Sequence, residues 1–162
     1  MSDKDTLKGK KILIVDDEPD VLDILEGLLS MCTITKADNF ESARRLMETE
    51  PFDIAILDIM GVNGYALLEI TKEKKITAVM LTAHALSVET TVKSFKRGAA
   101  SYVPKEEIHK IEAFLNDVLE AKSKGQSSWL RWLERAGAYY EKKFGRDWQK
   151  GDEEFWRNFP SV

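Results

Sequence analysis

The chain has 162 residues, of which 43% are apolar and 32% charged, with a formal net charge of −4. That profile fits one full globular domain and a remainder, and it excludes an overall basic field that would attract nucleic acid. No run approaches the roughly 20 apolar residues a membrane span needs, and the polar start at residues 1–5 lacks the apolar core of a signal peptide. A single cysteine, Cys32, excludes an internal disulfide and reads as a small buried hydrophobe. The expected location is the cytoplasm, with no membrane contact.

Residues 1–9 read as an N-terminal arm. The run 11–16, Lys-Ile-Leu-Ile-Val-Asp, is a strand buried on both faces. Asp17 or Glu18 then precedes Pro19, which suits the first turn of a helix, and Val21, Leu22, Leu25, Leu28 and Leu29 recur at helical spacing as far as Met31. Residues 33–37 alternate as a short second strand. Asp38 or Asn39 caps a second helix whose apolar face carries Phe40, Ala43, Leu46 and Met47. The third strand, 52–58, ends in Asp58 as the first ends in Asp16. A turn at Gly61 and Gly64 leads to a helix from Tyr65 to about Lys74. The fourth strand is 77–82, its helix runs from Ser87 to Lys96, the fifth strand covers Ala100 to Val103, and the fifth helix Glu106 to Lys122.

Five strand–helix units in a row imply a parallel sheet covered by helices on both faces. The economical topology is a doubly wound sheet of order 2-1-3-4-5, whose ligands bind beyond the strand C-termini, between strands one and three. Asp16, Asp17 and Asp58 fall there. Carboxylates gathered at one sheet edge call for a cation, and oxygen-only ligands favour Mg²⁺ or Ca²⁺. The competing reading gives Asp16 and Asp17 only a capping role on the first helix. With two histidines, His84 and His109, and no suitable cysteine partner, a zinc site is not expected.

After 122 the composition changes. A linker-like stretch, Lys122 to Ser128, leads into a tail holding all four tryptophans of the chain. Residues 128–144 predict an amphipathic helix with Trp129, Trp132, Leu133, Ala136, Tyr139 and Tyr140 on its apolar face. Residues 145–148 form a turn, and Asp152 caps a short last helix bearing Phe155, Trp156 and Phe159. Three readings stay open for these aromatics. They dock on the domain's own surface, they form a partner or self-association surface through Trp129, Trp132, Tyr139, Tyr140, Trp148, Phe155 and Trp156, or they fold only on binding.

In order, Ile12-Leu13-Ile14-Val15-Asp16-Asp17-Glu18-Pro19, Ile56-Leu57-Asp58-Ile59-Met60, Leu81-Thr82-Ala83 and Ser101-Tyr102-Val103-Pro104-Lys105 resemble the receiver domain of two-component response regulators over residues 10–122. The resemblance implies a flavodoxin-like α/β fold with residues 123–162 as an added helical tail. It implies that Asp58 accepts a phosphoryl group from a phosphohistidine or an acyl phosphate, and that one Mg²⁺ is held by Asp17, Asp58, the Met60 backbone carbonyl and Asp16. Thr82 and Lys105 would bind the phosphoryl group. Tyr102 would follow Thr82 inward and alter the face made by helix four, strand five and helix five. Met60 and His84 would set the dephosphorylation rate, and neither is suited to orienting a water, so the phosphoryl group is expected to be long-lived.

Two positions depart from the family pattern. The stretch Asp58 to Gly64 lacks its usual proline and is shorter, so Gly61 and Gly64 are expected to supply turns with positive φ. Lys105 is followed by Glu106 instead of proline, which predicts a trans bond with a rearranged loop, or strain. The implied partners are a sensor histidine kinase or phosphotransfer protein, an unknown downstream protein, and a second copy through the face of helix four, strand five and helix five or through the tail. No DNA-binding domain is expected. The resulting reading is a single-domain response regulator that is not a turnover enzyme and signals by partner binding or phosphorelay. Two rivals are a pseudo-receiver serving as a phosphorylation-independent scaffold and a Mg²⁺-dependent phosphohydrolase. The second is disfavoured because Met60 stands where such enzymes carry a second acid.

Overall fold

A computed structural model describes residues 6–83 and 86–159. Its sheet has five parallel strands in the order β2-β1-β3-β4-β5, the predicted order. The strands are β1 (Lys11–Val15), β2 (Thr33–Ala37), β3 (Ile54–Asp58), β4 (Thr77–Thr82) and β5 (Ser101–Pro104). In β1 and β3 successive side chains point to opposite faces, yet Ile12 to Val15 and Ile54 to Leu57 are all buried. Helices therefore cover both faces, as continuous apolar runs require.

The helices between the strands are α1 (Pro19–Leu28), α2 (Phe40–Thr49), α3 (Gly64–Lys74), α4 (Val88–Lys96) and α5 (Ile111–Ser123). Pro19 opens α1 as predicted, with Glu18 at the N-cap. Asn39 caps α2 by accepting from the Ser42 N–H at 2.9 Å. Ser87 and Thr90 form a reciprocal capping box at the start of α4. One stretch departs from expectation. The segment from Lys105 does not start α5; it winds as a 3-10 turn over Lys105–Lys110, with Glu107 off helical geometry (φ −105°, ψ 17°). The α-helix begins six residues later than Lys105, at Ile111.

The N-terminal segment contributes to the core through Leu7, which is fully buried, and Gly9 N–H donates to Met31 O at 2.9 Å. Cys32 is half-buried, and burial, with a smaller contribution from the Glu112 charge, pushes its thiol up to about 11. That leaves it an inert thiol at neutral pH.

The tail folds as α6 (Ser128–Phe144), a 3-10 turn (Trp148–Asp152) and α7 (Glu153–Asn158). Asp152 caps α7 by accepting from the Phe155 N–H. The tail lies against α4, β5 and α5. Trp129 donates its indole N–H to Ala99 O (2.9 Å) and Trp132 to Tyr102 O (2.6 Å). Phe95 of α4 packs against both rings, at 5.0 and 4.9 Å between centroids. Buried indoles with satisfied N–H groups fix both position and orientation. Of the candidate interface residues, Trp129, Trp132, Tyr140, Trp148 and Phe155 are buried, and Tyr139 and Trp156 half-buried. These rings face the domain and one another. Of the readings of the tail, docking on the chain's own surface is the one observed.

Candidate phosphoryl-acceptor site

At the C-terminal edge of the sheet, β1 and β3 are neighbours, with Val15 paired to Leu57. The next residue of each strand direction is a carboxylate. Asp16 is 0% and Asp58 4% exposed. Burying carboxylates is costly unless they are paired. The pairing group comes from the end of β5. Lys105 Nζ lies 2.9 Å from Asp16 Oδ2, 3.1 Å from Glu18 Oε1 and 3.5 Å from Asp58 Oδ1.

One ammonium does not neutralise this many acids. Burial, and then the nearby charge of Asp16, raise Asp58 to about 7, against the opposing pull of Lys105. Burial likewise holds Asp16 above the usual carboxylate range, offset in part by Lys105 and by the Glu18 N–H, which donates to Asp16 Oδ1 at 2.9 Å. For Lys105, burial works against the charged form, but its contacts with Asp16 and Glu18 outweigh that and raise its pKa. The site is thus short of positive charge.

Asp16, Asp17 and Glu18 each offer an oxygen within 4.8 Å of the others. Asp16 Oδ2, though close to Lys105, is buried without an aligned hydrogen bond among the described residues. An all-oxygen donor set with unmet negative charge fits a hard divalent cation such as Mg²⁺. Glu18 was visible in the sequence only as a helix-start residue; its place in the acid cluster depends on the sharp turn that the Asp16 side chain makes with the Glu18 N–H. Asp58 stands apart from that trio and joins the site through its contact with Lys105.

The loop after Asp58 explains its two glycines differently. Gly61 has φ +83°, as expected, and a Cβ there would come 2.5 Å from Asp17 Oδ2. Gly64 does not have positive φ. The second left-handed residue is Asn63 (φ 54°), and Gly64 is needed because a Cβ would meet the Asp58 backbone oxygen at 2.2 Å. Met60 lies in this loop, 55% exposed, and its side chain offers no group to orient a water. His84, its counterpart in the sequence reading, lies outside the described residues.

Thr82 is buried at the end of β4, opposite Pro104 and one residue beyond the Asp58–Leu81 pair. Tyr102 is 0% exposed, pointing inward, with its hydroxyl 2.9 Å from Thr90 Oγ1. Glu106 turns away from the carboxylates. It accepts from Tyr139 OH (2.9 Å) and Lys143 Nζ (2.8 Å), both in the tail.

The family model of the response regulator receiver domain matches residues 12–116. A probable transcriptional regulator, ycf27 of Guillardia theta, is 36% identical over 136 residues, covering 78% of this chain and 52% of that protein. The response regulator protein PilR of Pseudomonas aeruginosa is 32% identical over 105 residues, covering 61% of this chain and 23% of its own length. The chain thus spans about half or less of the curated relatives it matches. Among solved structures, a CheY-like receiver domain protein from Methanospirillum hungatei superposes with a TM-score of 0.65 at 27% identity, covering 73% of this chain and 99% of that one. The BeF3-activated DrrB receiver domain gives a TM-score of 0.61 at 26% identity, covering 69% and 98%. No helix among the described residues is long and apolar enough to cross a membrane.

Proposed function

The chain belongs to the response regulator receiver family of two-component signal transduction, and from that premise we propose that it is a phosphorylation-gated signalling module whose acceptor is Asp58. The observation that carries this reading is the convergence of Lys105 on Asp16, Glu18 and Asp58 from the far edge of the sheet. The buried acids that it pairs stay under-compensated at the switch point of the sheet, a setting in which perturbed carboxylates favour a functional role.

The Asp58 carboxylate attacks phosphorus, forming an acyl phosphate, while the donor's imidazole nitrogen or acyl oxygen leaves with the bonding pair. The attacking group must be ionised. Its pKa near 7 without a metal means that added positive charge both deprotonates it and supports the transfer. Asp16 and Asp17, with Asp58 and the Met60 carbonyl, would hold Mg²⁺, which would supply positive charge to offset the phosphoryl oxygens. Lys105 offers a flexible point charge to the same oxygens. The Thr82 hydroxyl donates to one of them, at the head of the loop that leads to α4. Response regulators receive phosphoryl groups from histidine kinases or phosphotransfer proteins, and such a protein is the proposed donor. Output is partner binding or onward relay, without turnover of a substrate. Met60 leaves the acyl phosphate without a water-orienting side chain on that flank, which supports a long lifetime.

The test is incubation with acetyl phosphate and Mg²⁺. Wild type should take up one phosphoryl group, and chelation of the metal or Asp58→Asn should abolish uptake. Undiminished uptake in Asp58→Asn would assign the acceptor elsewhere, and none in wild type would make the fold a fixed scaffold.

A further inference from the structure

The tail does more than cover apolar surface, because its polar contacts land on two segments that continue directly from the phosphoryl site. The first is the 3-10 turn after β5. Lys105 faces the carboxylates, and Glu106, the very next residue, is held by Tyr139 and Lys143 of α6. The second is the opening turn of α4, reached from Thr82 by a short loop. There Thr90 meets the Tyr102 hydroxyl from the sheet side (2.9 Å), and Thr91, fully buried, meets the Tyr140 hydroxyl of α6 at 2.6 Å. Tyr102 itself is capped by the tail, since its carbonyl accepts from Trp132.

We infer that the docked tail is an intramolecular ligand of the α4–β5–α5 face that is energetically coupled to the phosphoryl group on Asp58, each favouring the other. This rests on the acceptor reading given above. The sign follows from what the docked tail holds in place. It keeps Lys105 within reach of Asp58, keeps Tyr102 inside, and fixes the start of α4, so that a phosphoryl group engaging Lys105 and Thr82 meets them already positioned. A ligand that prefers the docked arrangement must stabilise docking by the same factor that docking raises its affinity. It also follows that the face is occupied in cis, and any partner or second copy that uses it must first displace α6.

The full chain can be tested with beryllofluoride and Mg²⁺ as the phosphoryl mimic, with fluorine NMR reporting bound fluoride independently of the tail. Amide hydrogen exchange in residues 128–144 should slow at least several-fold on binding. Tyr140→Phe and Lys143→Met, neither of which alters a residue of the Asp16, Asp17 and Asp58 site, should weaken beryllofluoride binding by about 5-fold or more, the low end of ordinary coupling, and blunt the protection. Bound fluoride with unchanged or faster exchange in the tail, or with wild-type affinity in both variants, overturns the coupling and leaves the acceptor reading standing. Absence of a bound-fluoride signal in wild type overturns both.

Discussion

The C-terminal end of β5 and its outer side are built in opposite ways. Past its C-terminus, Lys105 enters a cluster in which Asp16 and Asp58 are buried and Glu18 is exposed, and burial, followed by the charge of Asp16, raises Asp58 to about 7. Along its outer side, the tail is bonded with almost nothing left over. The Trp129 and Trp132 indoles reach backbone carbonyls, and Tyr140 reaches Thr91. Trp156 Nε1 is the exception, buried without a hydrogen bond among the described residues. One region leaves buried carboxylates under-compensated, which costs stability. The other, built from aromatic packing and satisfied N–H groups, supplies stability next to it. Functional sites commonly depart from local optimality in this way, with the surroundings compensating.

The largest expected effect is on the stabilising side. Trp132→Ala removes a fully buried indole and its bond to Tyr102 O, and should cost about 3–5 kcal/mol in thermal or denaturant unfolding. A loss below about 1 kcal/mol would mean that the tail is only loosely applied. Next comes Gly64→Ala. Its new Cβ would meet backbone, the Asp58 carbonyl, rather than a yielding side chain. A destabilisation near 3 kcal/mol, the upper end for overpacking, is expected together with loss of phosphoryl uptake; retention of both would show that the loop relaxes freely.

Asp58→Asn should move stability the other way. The folded-state pKa lies above the unfolded value of 3.8, so the native protein binds this proton more tightly than the unfolded chain does. Its favourable contribution is full below about 3.8, declines as pH rises, and is gone above about 7. Without metal, the variant should therefore exceed wild type by about 1–3 kcal/mol at pH 8, with the gap closing toward pH 4. A pH-independent difference would remove the charge-strain account. The smallest effect is Tyr140→Phe, which keeps the ring and removes one hydroxyl. Thr91 keeps its bond to Ser87 O, so about 1 kcal/mol is expected in equilibrium unfolding, and a cost above 3 would point to a repacked α4.

Much of this division was legible in the sequence. Apolar runs ending in Asp16 and Asp58 gave β1 and β3 to within two residues, and the sheet order followed from connection rules. The span of α6 and the Asp152 cap were also readable, since helical periodicity and capping are local. What failed to show was tertiary. Gly64 looked like a positive-φ turn residue, but its constraint is the approach of the Asp58 carbonyl, which no local rule contains. Glu106 reads in the sequence as the first residue of the fifth helix, yet its partners are 33 and 37 residues away in the tail. Glu18 joins the acids only after the Asp16 turn folds it back. The aromatic stripe of α6 was plain, but the surface it covers depends on which face of the domain is free to receive it.

Locating the phosphoryl group shows whether the under-compensated carboxylate is the working one. After acetyl phosphate treatment with Mg²⁺, borohydride reduction converts an aspartyl phosphate to homoserine, and peptide mass spectrometry finds the altered residue. Conversion is expected at position 58 alone, dependent on Mg²⁺. Conversion at position 16 or 17, or none anywhere in labelled protein, would contradict that assignment.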